Sequence, residues 1–255
     1  MQNLHHLKEE MTNTGVVVID DIVDADTIFN LRLELEAAIE EDSASRGPVF
    51  DAGMVHNCMT RGKAMSSLIE NKKLNDAIDA LFTPYAIIYA YQSSSLYPGS
   101  GNYGSRIHVD CPRFIPNYIT NLGAIIALDD FTHDNGGTYY LPGSHKNESL
   151  PEQSFFYENA KQLSCNKGAL ILFNGRLVHA AGVNRTDTAR HALTINYCRP
   201  YMRQRFDFPR LISTEQLRQF NDIGKRRIGM DVRMPTSLDE FYLPSDKRFY
   251  KPGQE

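Results

Sequence analysis

The chain has 255 residues, 42% of them hydrophobic and 23% charged, with a net charge of −4. That is enough for one large domain with a sizeable core, or two small ones. The mild acidity gives no electrostatic reason to expect nucleic acid or an anionic membrane as partner, and no apolar run approaches the ~18 residues of a membrane span.

The four cysteines (Cys58, Cys111, Cys165 and Cys198) form no CxxC pair and no disulfide or zinc pattern. The first residues, MQNLHHLKEEMTNTG, lack the apolar stretch of a secretory signal. The expectation is a cytoplasmic protein.

Residues 1–13 read as a loose or helical lead-in. TGVVVID (14–20) is β-branched and predicts a strand. A helix follows, capped by Asp24 or Asp26, with Ile28, Leu31, Leu33, Leu35 and Ile39 near helical spacing. Residues 47–63 read as loop with room for one strand, and 65–82 as a second amphipathic helix stopped near Pro84. From Pro84 the texture changes. Strands are expected at 85–97, 121–132, 136–146, 167–184 (two, around an Asn-Gly turn) and 190–201. Residues 206–255 hold one predicted helix, STEQLRQFNDIG, and a Pro-rich end expected to wrap the core. Helices first, then many short strands, predict a mainly β fold: a barrel or double-sheet jelly roll with helices outside. The expected layout is one domain over 1–255, with a helical part (1–84), a β-barrel core (85–205) and a C-terminal extension (206–255).

Residues 106–114 read RIHVDCPRF. On a strand, residues i and i+2 share a face, so His108 and Asp110 aim together. Two ligands hold a metal poorly, and a third must come from another strand. Of eight histidines, His5 and His6 lie in the lead-in, His56 in a loop, His133 in an acidic turn, and His145 after a PGS turn. His191 adjoins Arg190 and should face the opposite way. His179 ends the apolar LVH and precedes small residues, AAG, which leave room around a bound ion. Two imidazoles and one carboxylate on one side of an ion leave three positions open. That suits Fe(II) binding an organic cosubstrate and O2 together better than four-coordinate zinc. Arg190 lies eleven residues after His179, at the start of the next strand. Facing inward, it can clamp the distal carboxylate of a cosubstrate such as 2-oxoglutarate. Arg176, Arg185 and Arg199 are read as ordinary surface arginines.

With these residues in place, the chain resembles the phytanoyl-CoA dioxygenase family of Fe(II)- and 2-oxoglutarate-dependent oxygenases. The likeness runs from about residue 14 to 200. It is carried by TGVVVIDDIVDADTIFNLRLELEAAIEE, by HVD, by ALDDFTHDNGGTYYLPGSHK, and by GALILFNGRLVHAAGVNRTDTARHALTINY. The resemblance implies a double-stranded β-helix (jelly-roll, cupin-like) core, with His108, Asp110 and His179 on iron and Arg190 on oxoglutarate. Many members carry a Lys shortly before the Pro-Gly that precedes HxD. Here the stretch is SSSLYPG and Ser95 stands nearest. Ala181 replaces a hydroxyl residue two after the distal His, and Val109 a Gln, so the oxoglutarate site should lean on Arg190 and on Tyr or Ser groups of 89–97. Family-like halogenases replace the carboxylate ligand with a small residue. Asp110 therefore favours hydroxylation or another oxidation over halogenation, and the expected reaction is hydroxylation of an aliphatic C–H of a small-molecule or carrier-bound metabolite, with succinate and CO2 released. A cupin-type enzyme without oxoglutarate, or a non-catalytic binding protein on the same fold, are the alternatives. Tyr89, Tyr91, Ser93 and Ser95 are expected to line the pocket. Arg106 and Arg113, flanking the iron motif, are candidates to meet an anionic group.

Overall fold

The computed structural model describes residues 4–46, 53–100 and 103–250. The expected loop at 47–52 and the last five residues lie outside them. The N-terminal third holds α1 (Leu4–Thr14), β1 (Val16–Ile19), α2 (Ala25–Arg46), α3 (Lys63–Leu68) and α4 (Lys72–Leu81). The β-rich part follows as β2 (Ile87–Leu96), β3 (Asn121–Ala127), β4 (Tyr139–Tyr140), α5 (Gln153–Asn159), β5 (Lys161–Gln162), β6 (Leu170–Asn174), β7 (His179–Ala180) and β8 (Arg190–Cys198). The chain continues through α6 (Phe208–Leu211), α7 (Thr214–Gln219), α8 (Asp222–Ile228) and α9 (Leu238–Phe241).

A five-stranded antiparallel sheet runs in the order β1-β6-β3-β8-β2, and a smaller sheet in the order β5-β4-β7. This is a jelly-roll core with flanking helices. Non-consecutive neighbours follow from crossovers between the sheets, so chain-distant segments meet. β1 joins the large sheet as its edge, pairing Val16 with Phe173. The helical N-terminal part thus contributes a strand to the β core.

Period-2 alternation sorts the large sheet into two apolar faces. Leu122, Ala124, Ile126, Leu170, Leu172, Leu193, Ile195 and Tyr197 pack on the helices, where Leu31, Leu35, Leu74 and Ile78 are fully buried. Ile125, Ile171, Phe173 and Ala192 point between the sheets, against Phe131, Leu163 and Leu177. Burying one such aliphatic side chain contributes about 1.5–3 kcal/mol, so both faces fix the register.

Local chemistry sets the helix ends. Asp24, not Asp26, caps α2: its Oδ1 accepts the Thr27 N–H at 2.8 Å. Leu33 falls on the solvent side and is 50% exposed. The single helix expected over 65–82 is two helices. Asn71 breaks it by accepting the Leu74 N–H with its side chain at 2.9 Å. Glu34 of α2 closes the other end, accepting the Ala64 and Met65 N–H groups at 2.8 and 2.9 Å. The predicted helix at 213–224 is likewise split: a capping box at Ser213 opens α7, and an Asn221 cap starts α8 afresh. The tail is pinned to the helical layer by Arg227, which is fully buried and bonds Asn75, the Ala86 carbonyl and Asp79. No helix among the described residues is long and apolar enough to cross a membrane.

Candidate active site

His108 and His179 sit opposite each other across a β-bridge. Each N–H donates to the other's carbonyl at 3.0 Å. Directly opposed residues share a face, and the two rings lie 4.3 Å apart, tilted 48°. Asp110, two residues along, joins them. Its Oδ1 is 3.5 Å from His108 Nε2 and 3.8 Å from His179 Nε2. One ligand atom from each of the three lies within 4.8 Å of the others.

The rings are set for coordination. His108 Nδ1 donates to the Arg106 carbonyl at 2.7 Å, and His179 Nδ1 to the Leu177 carbonyl at 2.9 Å. A carbonyl only accepts, so the proton is on Nδ1 and each Nε2 keeps its lone pair toward Asp110. Burial holds the His179 imidazole below its ordinary range, which keeps it neutral. For Asp110, burial pushes the carboxyl up, but the neighbouring His108 and His179 rings and the Asn196 amide outweigh it and lower it. For His108, burial pulls down, while Asp110 and the Arg106 carbonyl prevail and raise it. An ionised carboxylate facing two bare imidazole nitrogens is a donor set for a borderline divalent metal with open positions.

Asp110 is also held from behind. Asn196 Nδ2 donates to Asp110 Oδ2 at 3.2 Å, and Asn121 Nδ2 donates to Asn196 Oδ1 at 3.0 Å. Both asparagines are buried. Sequence reasoning missed them, although Asn196 keeps strict alternation with Arg190 through Ala192 and Thr194. A wall of the site is apolar. The Phe173 ring lies 5.0 Å from the His179 ring and crosses Gly123, where a Cβ would meet it at 2.1 Å.

Arg190 points between the sheets and is 2% exposed. Its guanidinium rests 4.1 Å over the Phe131 ring, and one NH group reaches the Gly136 carbonyl at 3.3 Å. Gly136, at φ +84 and with Leu96 and Gly182 against it, has no room for a side chain. Burial pulls the Arg190 pKa down to about 10, and its Nε is buried without a partner among the described residues. A buried guanidinium with an unfilled donor fits a carboxylate.

Ser95 is not on this face. It pairs with His191, and its Oγ bonds His191 Nδ1 at 2.8 Å on the helix side, where Asp129 accepts the His191 N–H and pairs with Arg32 of α2. Arg190 and Leu96 are the inward pair. Tyr91 and Ser93 also face the helices: Tyr91 is fully buried and bonds the Met65 carbonyl, and Ser93 accepts the Val55 N–H. The inward residues of β2 are Ala90, Gln92, Ser94 and Leu96. Arg176 is no surface residue. It is 6% exposed and ties the Pro112, Asn147 and Glu148 carbonyls together.

The family model described as Phytanoyl-CoA dioxygenase (PhyH) matches residues 11–192. An uncharacterized protein of Mycobacterium bovis, Mb1539, is 25% identical over 265 residues, covering 99% of this chain and 96% of its own. Dioxygenase cdmA of Talaromyces verruculosus is 28% identical over 214 residues, 73% of this chain and 70% of its own. Among solved structures, the epimerase SnoN in complex with Fe3+, alpha ketoglutarate and nogalamycin RO matches with TM-score 0.61 at 19% identity, covering 76% of this chain and 83% of that one. The cofactor set of the family is Fe(II), 2-oxoglutarate and O2, and His108, Asp110 and His179 are able to bind the metal. The chain is an oxygenase-type enzyme and belongs to the phytanoyl-CoA dioxygenase family.

Proposed function

We propose that this chain hydroxylates an aliphatic C–H of a small-molecule or carrier-bound metabolite, converting 2-oxoglutarate to succinate and CO2. The observation that carries the reading is the convergence of His108, Asp110 and His179 within 4.8 Å, both imidazoles presenting Nε2. When bound, the iron with its cosubstrate and O2 supplies the power to oxidise an unactivated C–H bond.

The chain's residues do the rest. His108, Asp110 and His179 hold the metal from one side and leave the other for cosubstrate and O2. Asn196 fixes the carboxylate so that Oδ1, not Oδ2, faces the imidazoles. Arg190 receives the distal carboxylate of oxoglutarate. Ala181 offers no hydroxyl there, so the guanidinium carries more of that binding. Phe173 keeps water from the His179 side. The intact Asp110 supports hydroxylation over halogenation. The four cysteines are free thiols, which supports a cytoplasmic setting.

The test is turnover under 18O2 with a metabolite panel. Hydroxylation gives succinate and a product carrying one labelled oxygen. Succinate formed with a product of unchanged elemental composition contradicts hydroxylation.

A further inference from the structure

The inner face of β2 carries polar groups that neither the metal nor oxoglutarate uses. Gln92 faces Thr194 on β8, two pairs along from Ala90 and Asn196. Diagonal neighbours in an antiparallel pair are about 7–8 Å apart at Cα. Gln92 is thus one such step from Asn196, whose amide touches Asp110. On its open edge β2 meets two more segments. His56 stands directly opposite Gln92 in a β-bridge and so shares its face. The Arg205 N–H bonds the Tyr89 carbonyl at 2.9 Å, and its guanidinium reaches Gln92 Oε1 at 3.1 Å. Three chain-distant residues therefore converge beside the metal triad.

The charge there is unbalanced. The single side-chain partner of Arg205 among the described residues is a neutral amide oxygen. A guanidinium fork next to an amide presents a few donors in one plane. That matches a carboxylate better than a phosphate, which calls for more cations or a nest of backbone N–H groups.

We infer that Arg205, with Gln92 and His56, binds a carboxylate of the substrate, and that the compound oxidised is a small carboxylic acid. This rests on the oxygenase reading above and assigns its substrate class. The carboxylate of oxoglutarate goes to Arg190, so the two anion sites are separable.

The experiment uses the full chain with Fe(II) and 2-oxoglutarate, without O2. Hexanoate, 3-phenylpropanoate and N-acetylglycine are each compared with their primary amides, and with phenyl phosphate. Their binding is read by saturation-transfer NMR. Oxoglutarate binding is read separately, from its charge-transfer absorption with iron. The expected result is acids binding on the order of tenfold tighter than their amides. Arg205→Gln and Gln92→Leu should erase that preference and leave the absorption unchanged. Acids and amides binding alike, no acid binding, a preference for phenyl phosphate, or Arg205→Gln weakening oxoglutarate instead would each overturn the assignment. Loss of the absorption in the unaltered chain rejects the oxygenase reading itself, whatever the NMR shows.

Discussion

Replacing Arg190 with Met separates what this residue does for stability from what it does for binding. The guanidinium is 2% exposed, and burial lowers its pKa from 12.5 to about 10. At neutral pH the group is charged both folded and unfolded, so that depression is worth about 3 kcal/mol against the native state. It persists up to about pH 10, above which stability rises as the folded form releases its proton first. The Gly136 carbonyl at 3.3 Å and the Phe131 ring at 4.1 Å each return about 1 kcal/mol. Met fills similar space without the charge, so the net gain is about 1 kcal/mol, or ~2–4 °C in Tm. Without metal or oxoglutarate, Arg190→Met should therefore melt higher by calorimetry. With Fe(II), its Kd for oxoglutarate should rise by roughly 30-fold or more, the worth of a buried bidentate ion pair. A lower Tm together with unchanged oxoglutarate affinity would refute the reasoning, because Arg190 would then be a structural cation.

Asn196→Ala frees Asp110 Oδ2, and metal affinity in anaerobic Co(II) titration should fall about 10–100-fold with the circular dichroism unchanged. Arg227→Met leaves Asn75 Oδ1 and the Ala86 carbonyl unpaired in the core and Asp79 with only the longer Arg226 contact at 3.8 Å, so urea unfolding should show a loss of about 3 kcal/mol. Burial holds the His191 pKa below its ordinary 6.5, so the unfolded chain takes up the proton first as pH falls. His191→Gln should lose less stability than the unaltered chain between pH 6.5 and 5, and equal losses would contradict the buried, neutral imidazole.

The convergence of His108, Asp110 and His179 was legible because it follows from strand periodicity and from chemistry that few other residue sets satisfy. HVD places two ligands on one face once the segment is extended, and His179 stood apart by its apolar approach and small followers. Period 2 says which residues of a strand share a face, but not which face is inward. The assignment of Tyr91, Ser93 and Ser95 to the pocket failed on that ambiguity. A register shift between Ile88 and Ala90 adds to it, because it leaves Tyr89 out of the pairing. What decides is the partner strand: Arg190 opposite Leu96 puts Gln92 inside and Ser95 against the helices. The broken helices at Asn71 and Asn221 escaped for another reason. Apolar spacing continues across each break, and only the capping bond to a backbone N–H interrupts it. Asn121 gave no local sign and Asn196 only its alternation with Arg190, since each draws its meaning from a group 75 or more residues away.

The central claim is that two imidazoles and one carboxylate hold a ferrous ion to which oxoglutarate then binds. Anaerobic titration of the chain with Fe(II) and 2-oxoglutarate tests it most directly, followed by visible absorption. One equivalent of each should produce the iron-to-oxoglutarate charge-transfer band, and His179→Ala should abolish it while remaining folded. A band of full intensity in His179→Ala, or none in the unaltered chain, would contradict the account.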